Sequence, residues 1–338
     1  MCVGTISDIV PLIDENRVIA KLGLKLVQIT KNLGLKALLE STKYKNIDSR
    51  CISFGIAPRV NACGRMGHQE EALNLFLAET EEESKEITER LNEYNTERQE
   101  KENAIFTEAL KMIEEEGNDK SCIILAGENW HHGIIGIVSS KVSEVYYKPS
   151  ILMCIEGELA KGSGRSIPGV DLHEILSNCS QYIDKFGGHA MAIGISVKKE
   201  NLPKFKEEIE KYTENLKINE ITPVIHIDEE VSIKSASNAD IREVSLLEPF
   251  GEANKMPIYL FKNYKIISIR SVSDGKHLKL KVQDGNYFLD AIGFNMGDYA
   301  DKFVVGDRVD IVGIFEINKI NGEYETIQIN VKDMRRAY

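Results

Sequence analysis

Residues 186–194 read FGGHAMAIG, two glycines and a histidine set where the helical pattern LHEILSNCSQYIDKF (172–186) gives way to the strand-like AIGISV (192–197). Gly187 and Gly188 allow the backbone to come close to a phosphate and to expose its N–H donors. His189 beside them can donate to a phosphoryl oxygen or move a proton. A Gly-Gly turn with an incidental histidine fits the local pattern as well, so the surroundings must decide.

On either side of this segment, SCIILAG (121–127) reads as a buried strand and HHGIIGIVSSKVSEVY (131–146) as a strand-to-helix unit. PSILMCIEG (149–157) is another strand and NLPKFKEEIEKYTENL (201–216) a closing helix. Strands alternating with helices imply an α/β layer with a mixed or parallel sheet. Upstream, Ile87, Leu91, Tyr94, Ile105, Ala109 and Ile113 recur at helical spacing in a charged stretch from Thr80 to Glu116. This predicts one long amphipathic helix, stopped at Gly117 and suited to a strut between domains.

Before that helix, CVGTISDIVPL (2–12) reads as a strand entering a Pro-terminated loop. Residues 16–39 read as helical turns broken near Gly23 and Gly34, IAPRVNACGRMG (56–67) as a loop, and EALNLFLAET (71–80) as a short helix. Beyond residue 219 the pattern turns β: YKIISIRSVS (264–273), HLKLKVQDG (277–285), YFLDAIGF (287–294), DRVDIVGIFEI (307–317) and YETIQINVKDM (324–334). Short strands separated by tight-turn residues fit a small barrel or sandwich.

The length of 338 residues calls for two or three domains. The net charge of −11 argues against a protein that coats duplex DNA by neutralising phosphates, but leaves room for a narrow basic groove. The six cysteines are scattered without a C-x-x-C pair, which speaks against a zinc site or a disulfide scaffold and for buried thiols. No apolar run reaches membrane-spanning length and the N-terminus has no signal-peptide pattern, so a cytoplasmic protein is expected.

Four further stretches could carry chemistry. KGSGRS (161–166) joins glycines to Ser163, Arg165 and Ser166, a phosphate cradle or a solvated Gly-Ser loop. NWHHGIIGIVSSKV (129–142) sets Trp130, His131 and His132 before a strand-like run; adjacent histidines diverge there, so one phosphate or base contact is expected rather than a shared metal. APRVNACGRMG (57–67) offers Arg59, Asn61 and Arg65 to an anion, or is a surface turn. GTISDIVPL (4–12) puts Asp8 just past a strand, as a metal-binding carboxylate or a capping residue.

Taken in order, GTISDIVPL, APRVNACGRMG, the long charged helix, NWHHGIIGIV, GSGRS, FGGHAMAIG and LEPFGEANKMP (247–257) resemble the RecJ-type single-stranded-DNA-specific exonucleases of the DHH phosphoesterase superfamily. The resemblance covers essentially the whole chain. It implies an α/β protein: the end of a DHH lobe (1–79), a connecting helix (80–117), a DHHA1 lobe (118–218) and a β-rich OB-fold (219–338). It implies 5′→3′ hydrolysis of single-stranded DNA to mononucleotides with Mn²⁺ or Mg²⁺ in recombination and repair, with a single-strand-binding protein or helicase as further partner.

By motif position Asp8 resembles a metal ligand, and His131, Arg165 and His189 resemble catalytic contacts to phosphate. Arg59, Asn61, Arg65, Ser163, Ser166, Gly187 and Gly188 resemble substrate-binding positions. Tyr259, Phe261, Tyr287 and Phe294 are aromatics that could stack on bases in the OB-fold. The departure from the family is that its Asp-His-His triplet and earlier aspartate motifs do not occur in these 338 residues. The expectation is a chain inactive alone that works with a separately supplied DHH domain. Two other readings fit: a DHH-type phosphodiesterase acting on nano-RNA or cyclic dinucleotides, and a non-catalytic single-strand-binding scaffold.

Overall fold

The computed structural model describes residues 1–234, 237–320 and 324–337. The N-terminal helices are α1 (Cys2–Ser7), α2 (Asp14–Val27), α3 (Leu33–Glu40), α4 (Ala57–Arg65) and α5 (Gln69–Leu77). The long helix α6 (Glu81–Glu116) follows, then β1 (Ile123–Gly127), α7 (His132–Tyr146), β2 (Ser150–Glu156), β3 (Leu159–Arg165), α8 (Leu172–Asn178), β4 (Lys185–His189), β5 (Ala192–Lys198) and α9 (Leu202–Glu214). The remainder holds β6 (Glu229–Glu230), α10 (Asn238–Val244), β7 (Tyr259–Val272), β8 (His277–Asp284), β9 (Tyr287–Gly293), α11 (Tyr299–Lys302), β10 (Arg308–Ile320) and β11 (Tyr324–Arg336). These make two compact units: residues 29–46 with 53–224, and residues 1–28 with 47–52 and 225 onward.

In the first unit a five-stranded sheet runs β1-β2-β3-β5-β4, with β1 and β2 parallel and the rest antiparallel. One face carries Ile151, Met153, Ile193 and Ile195 against Leu172, Ile175 and Leu176 of α8 and Phe205 and Ile209 of α9. The other carries Ile123, Leu125, Leu152 and Cys154 against α6 and Ile134, Ile135, Val138 and Val142 of α7. The long helix forms as its periodicity predicts. The Thr80 side chain accepts from the Glu83 amide at 3.1 Å, a cap that contributes about 1 kcal/mol, and Gly117 ends the helix at a φ of 86°.

In the second unit β7, β8, β9, β11 and β10 close into a barrel through the β10–β7 pairing, with β9 and β11 parallel. Its core holds Phe261, Tyr264, Ile266, Leu280, Val282, Val309, Ile311 and Ile329. Phe261 is fully buried and meets Phe315 edge-on at 5.0 Å, so it is core and not a stacking platform.

Several local expectations are corrected. The strand expected at CVGTISDIVPL is helix α1, which buries Cys2 and Ile6 one turn apart. Gly23 does not interrupt α2; a Cβ there would strike Cys2, so the glycine is where α1 lies against the helix. Gly34 likewise sits inside α3, close against the Leu75 backbone. APRVNACGR is helix α4, begun at Pro58 and burying Ala62 and Cys63, whose small side chains suit close packing. The apolar run after His131 is entirely helical, because Ile134, Ile135, Val138 and Val142 follow helical and not alternating spacing. KGSGR is strand β3: Gly162 and Gly164 leave room that Met153, Ile193, Ile195 and Leu172 fill. FGGH is not a helix-to-strand junction but strand β4, joined to β5 by a tight hairpin in which His189 pairs with Ala192.

Candidate phosphate and nucleic-acid interface

Residues paired directly across antiparallel strands point to the same face of a sheet. The register therefore places three rows side by side on β3, β5 and β4: Lys161, Ser196 and Lys185; Ser163, Gly194 and Gly187; Arg165, Ala192 and His189. This is the face that α7 covers over β2 and β3. Helix α7 reaches only as far as β3, where a Cβ on Gly136 would sit 3.0 Å from Ser163 Oγ and 3.2 Å from an Arg165 Nη2. Beyond it the strip over β5 and β4 has no side chain larger than alanine at 187, 192 and 194, and Gly187 and Gly194 face open space. The result is a trough floored by bare backbone and edged by Lys161, Lys185, Arg165 and His189. Lys161 is paired with Glu156 at 2.8 Å, so among the described residues Lys185 and Arg165 are the trough's cations without a carboxylate partner.

Arg165 donates from Nη1 to Ser163 Oγ and to the Gly164 carbonyl, each at 2.8 Å. Arg65, in the last turn of α4, donates from Nη1 to the Gly133 carbonyl at 3.0 Å. Burial lowers the pKa of both guanidiniums, that of Arg165 further through Arg65 and that of Arg65 through Arg98, with Glu102 opposing. Among the described residues neither Arg65 nor Arg165 pairs with a carboxylate, and no acceptor meets Nε or Nη2 of either. Two partly desolvated arginines with donors to spare, the charge of Arg65 acting on Arg165, are a candidate site for an anion.

His131 is the N-cap of α7, its Nδ1 accepting from the Gly133 amide at 3.2 Å. Burial, then the positive charges of Lys101 and His132, push its pKa below the ordinary histidine value. An accepting Nδ1 leaves the proton on Nε2, free to donate to a phosphoryl oxygen. Trp130, by contrast, is buried with Nε1 donating to Glu108 at 2.8 Å, which is the core role.

The remaining sequence-derived positions scatter. Arg59 donates to the Gly55 carbonyl at 2.5 Å and to Asn92 Oδ1 at 2.6 Å, and Asn61 is exposed two residues along the same helix, so α4 splays Arg59, Asn61 and Arg65 instead of gathering them on one loop. Ser166 does not face the trough: its hydroxyl is buried and donates to the Val170 carbonyl at 2.7 Å, while its amide donates to the Met191 carbonyl and pins the hairpin. Asp8 is the exposed C-cap of α1 in the other compact unit. Among the described residues no group of three or more His, Cys, Asp or Glu is placed to hold a metal ion. A lone exposed carboxylate does not fit a Mn²⁺ or Mg²⁺ site. All six cysteines are free and buried, as their scatter predicts.

On the barrel, Lys265, Arg270, Lys279 and Lys281 project outward from β7 and β8, and Lys281 Nζ lies 5.7 Å from the Phe288 ring centroid. Tyr287 is 52% exposed, Phe288 51% and Phe294 52%. Phe288 is not singled out by the sequence, because strand alternation places one of two adjacent aromatics inside, whereas here both Tyr287 and Phe288 are exposed at the strand's start. Replacing Phe261 with alanine is expected to destabilise the barrel by about 3–5 kcal/mol. Phe288→Ala should leave denaturant unfolding unchanged, since its ring is half exposed. Equal stability losses in both variants would contradict this division.

Residues 119–215 match the DHHA1 domain family and residues 227–333 the RecJ OB domain family. The single-stranded-DNA-specific exonuclease RecJ of Bacillus subtilis (strain 168) is 35% identical over 337 residues, covering 98% of this chain and 43% of that protein. RecJ of Thermus thermophilus is 28% identical, covering 99% and 47%. The crystal structures of RecJ from Thermus thermophilus in complex with Mg²⁺ and with Mn²⁺ each superpose with a TM-score of 0.87 at 27% identity. They cover all of this chain and 52% and 49% of theirs.

The chain carries a DHHA1 domain and a RecJ OB domain and matches RecJ over nearly its whole length. It spans about half the length of the curated relatives it matches. The α/β DHHA1 lobe followed by an OB barrel, expected from the ordered motifs, is the fold observed. No helix among the described residues is long and apolar enough to cross a membrane.

Proposed function

We propose that this chain is the phosphate-handling and strand-gripping part of a 5′→3′ single-stranded-DNA exonuclease of recombination and repair, one that releases mononucleotides. The observation that supports this most is the Arg65–Arg165 pair, with no carboxylate partner among the described residues, at the end of a basic trough floored by glycine. In this reading Arg165 and Arg65 fork onto phosphate oxygens, His131 Nε2 donates to one of them, and Ser163 holds Arg165 in place. Gly187 admits the sugar-phosphate backbone, Gly188 shapes the hairpin on the opposite face, and His189 at the trough's end orients or protonates a phosphoryl oxygen. Arg59 and Asn61 would contact the strand further along α4. The outward barrel face, with Tyr287, Phe288, Phe294 and its lysines, is a second surface that binds single strand by stacking and local charge.

The functional segments in this reading are 1–79 as the end of a DHH lobe, 80–117 as connecting helix, 118–218 as DHHA1 lobe and 219–338 as OB-fold. The solved Thermus relatives are described with Mg²⁺ and Mn²⁺. Among the described residues Asp8 belongs to no group of three or more metal-ligating side chains, and the chain by itself is expected to bind strand without cutting it. The cytoplasm and a single-strand-binding protein or helicase remain the expected setting and further partners.

The test is 5′-labelled single-stranded DNA with Mn²⁺, with and without a separately supplied DHH domain. Mononucleotide release only after complementation is the expected result, and His189→Ala should abolish that release while oligonucleotide binding and thermal unfolding stay near wild type. Cleavage confined to dinucleotides would favour a small phosphodiesterase. Binding without cleavage in every mixture would favour a non-catalytic scaffold, a reading the missing ligand cluster among the described residues also supports.

A further inference from the structure

The middle of α6 does more than separate two ends of the chain. Glu102 lies there with its side chain 5% exposed, and Arg98, one turn earlier, is 12% exposed. Arg98 Nη1 donates to Glu102 Oε2 at 2.5 Å and its Nη2 donates to Asn95 Oδ1 at 2.7 Å. The second oxygen of Glu102 takes Lys141 of α7. Glu102 is thus a buried carboxylate shared by two cations on different helices, and it ties α6 to α7.

Helix α7 in turn presents the Gly133 carbonyl that receives Arg65 and the bare Gly136 surface against which Arg165 lies. Arg98 and Lys141 are occupied by Glu102, whereas Arg65 and Arg165 are left with donors to spare. A buried carboxylate with two partners costs desolvation that isolated surface pairs do not, and such arrangements are best attested where they enforce one geometry.

We propose that Glu102, with Arg98, is a positioning device for the phosphate site: it fixes α7 against α6 so that Arg65 and Arg165 converge on one phosphate. This rests on the reading of Arg65 and Arg165 as phosphate contacts. The connecting helix becomes part of the binding site, and the ligand class is the phosphodiester of a single strand.

Charge alone and positioning predict opposite signs for Glu102→Gln. Removing a negative charge beside a cationic site strengthens binding of an anion if only the summed field matters. Loss of position weakens it. With the full chain and a fluorescent oligothymidine, Glu102→Gln is expected to weaken binding by about tenfold despite the added net positive charge, equivalent to about 1.4 kcal/mol. Arg98→Lys, which keeps the charge but loses the two-pronged geometry, should do the same to a smaller degree, and Glu102→Asp should recover part of the loss.

Each variant is compared at matched folded fraction by circular dichroism. If Arg165→Ala weakens binding but Glu102→Gln and Arg98→Lys leave it unchanged or tighter, the positioning role is wrong and the phosphate site stands. If Arg165→Ala itself has no effect, the phosphate site is wrong. If Glu102→Gln does not fold, Arg98→Lys carries the decision, and wild-type affinity in that variant overturns the proposal.

Discussion

Replacing Arg65 and Arg165 together with alanine is expected to lower the affinity for single-stranded oligonucleotide by about a hundredfold or more at low salt. Each guanidinium has free donors, and a charge-assisted hydrogen bond contributes about 1.5–3 kcal/mol. Two such contacts correspond to a loss of about 3–6 kcal/mol, discounted because Arg65 remains open to solvent and its charge is screened. The salt dependence should change as well: each phosphate contact removed flattens the log–log slope by about 0.7 for a single strand. Stability should hold or rise slightly, because the variant relieves the repulsion that Arg65 exerts on the partly buried Arg165. An unchanged affinity with an unchanged salt slope would remove both arginines from the site. Loss of binding accompanied by unfolding would show that they hold the lobe together instead.

The second large effect separates two glycines that the sequence sets side by side. Gly188 has a φ of 137°, and a Cβ there would collide with the Ala192 carbonyl and approach the Ile193 backbone. Gly188→Ala must therefore strain or open the β4–β5 hairpin, at a cost of about 1–3 kcal/mol for the backbone conformation alone, with the collision added. Gly187 carries no such constraint; a Cβ there meets nothing. Gly187→Ala should unfold at the wild-type temperature yet bind oligonucleotide more weakly, because the methyl group stands on the trough floor. If the two variants behave alike in thermal unfolding, the hairpin geometry is not what Gly188 serves. If Gly187→Ala binds normally, the strand does not lie over the trough.

That contrast shows how far residues alone could go. FGGH announced a close backbone approach, but whether the approach was to a phosphate or to the chain itself depends on φ and on the neighbouring strand. Gly188 is needed for the turn and Gly187 for the open floor. The same holds for KGSGRS. Ser163 and Ser166 look equivalent in the motif, yet an odd separation on a strand sends them to opposite faces, one beside Arg165 and one to the Val170 carbonyl. Small residues and glycine weaken the helical signal of α4 in the sequence, and only packing of Ala62 and Cys63 restores it.

The long helix with its Thr80 cap and Gly117 stop, the α/β layer, the β-rich barrel and the domain families could all be read from the order of residues. Periodicity, capping and motif order are local, and they survive without coordinates. Which cations meet was settled only by folding. Arg65, Arg98, Glu102, Gly133, Lys141 and Arg165 come from four separate elements, and no spacing in the chain reveals that Glu102 occupies two of the cations and leaves two others open. The open trough over β5 and β4 is likewise a product of register. Pairing sets Gly187, Gly194 and Ser163 in one row, and α7, ending its reach at β3, leaves that row to solvent.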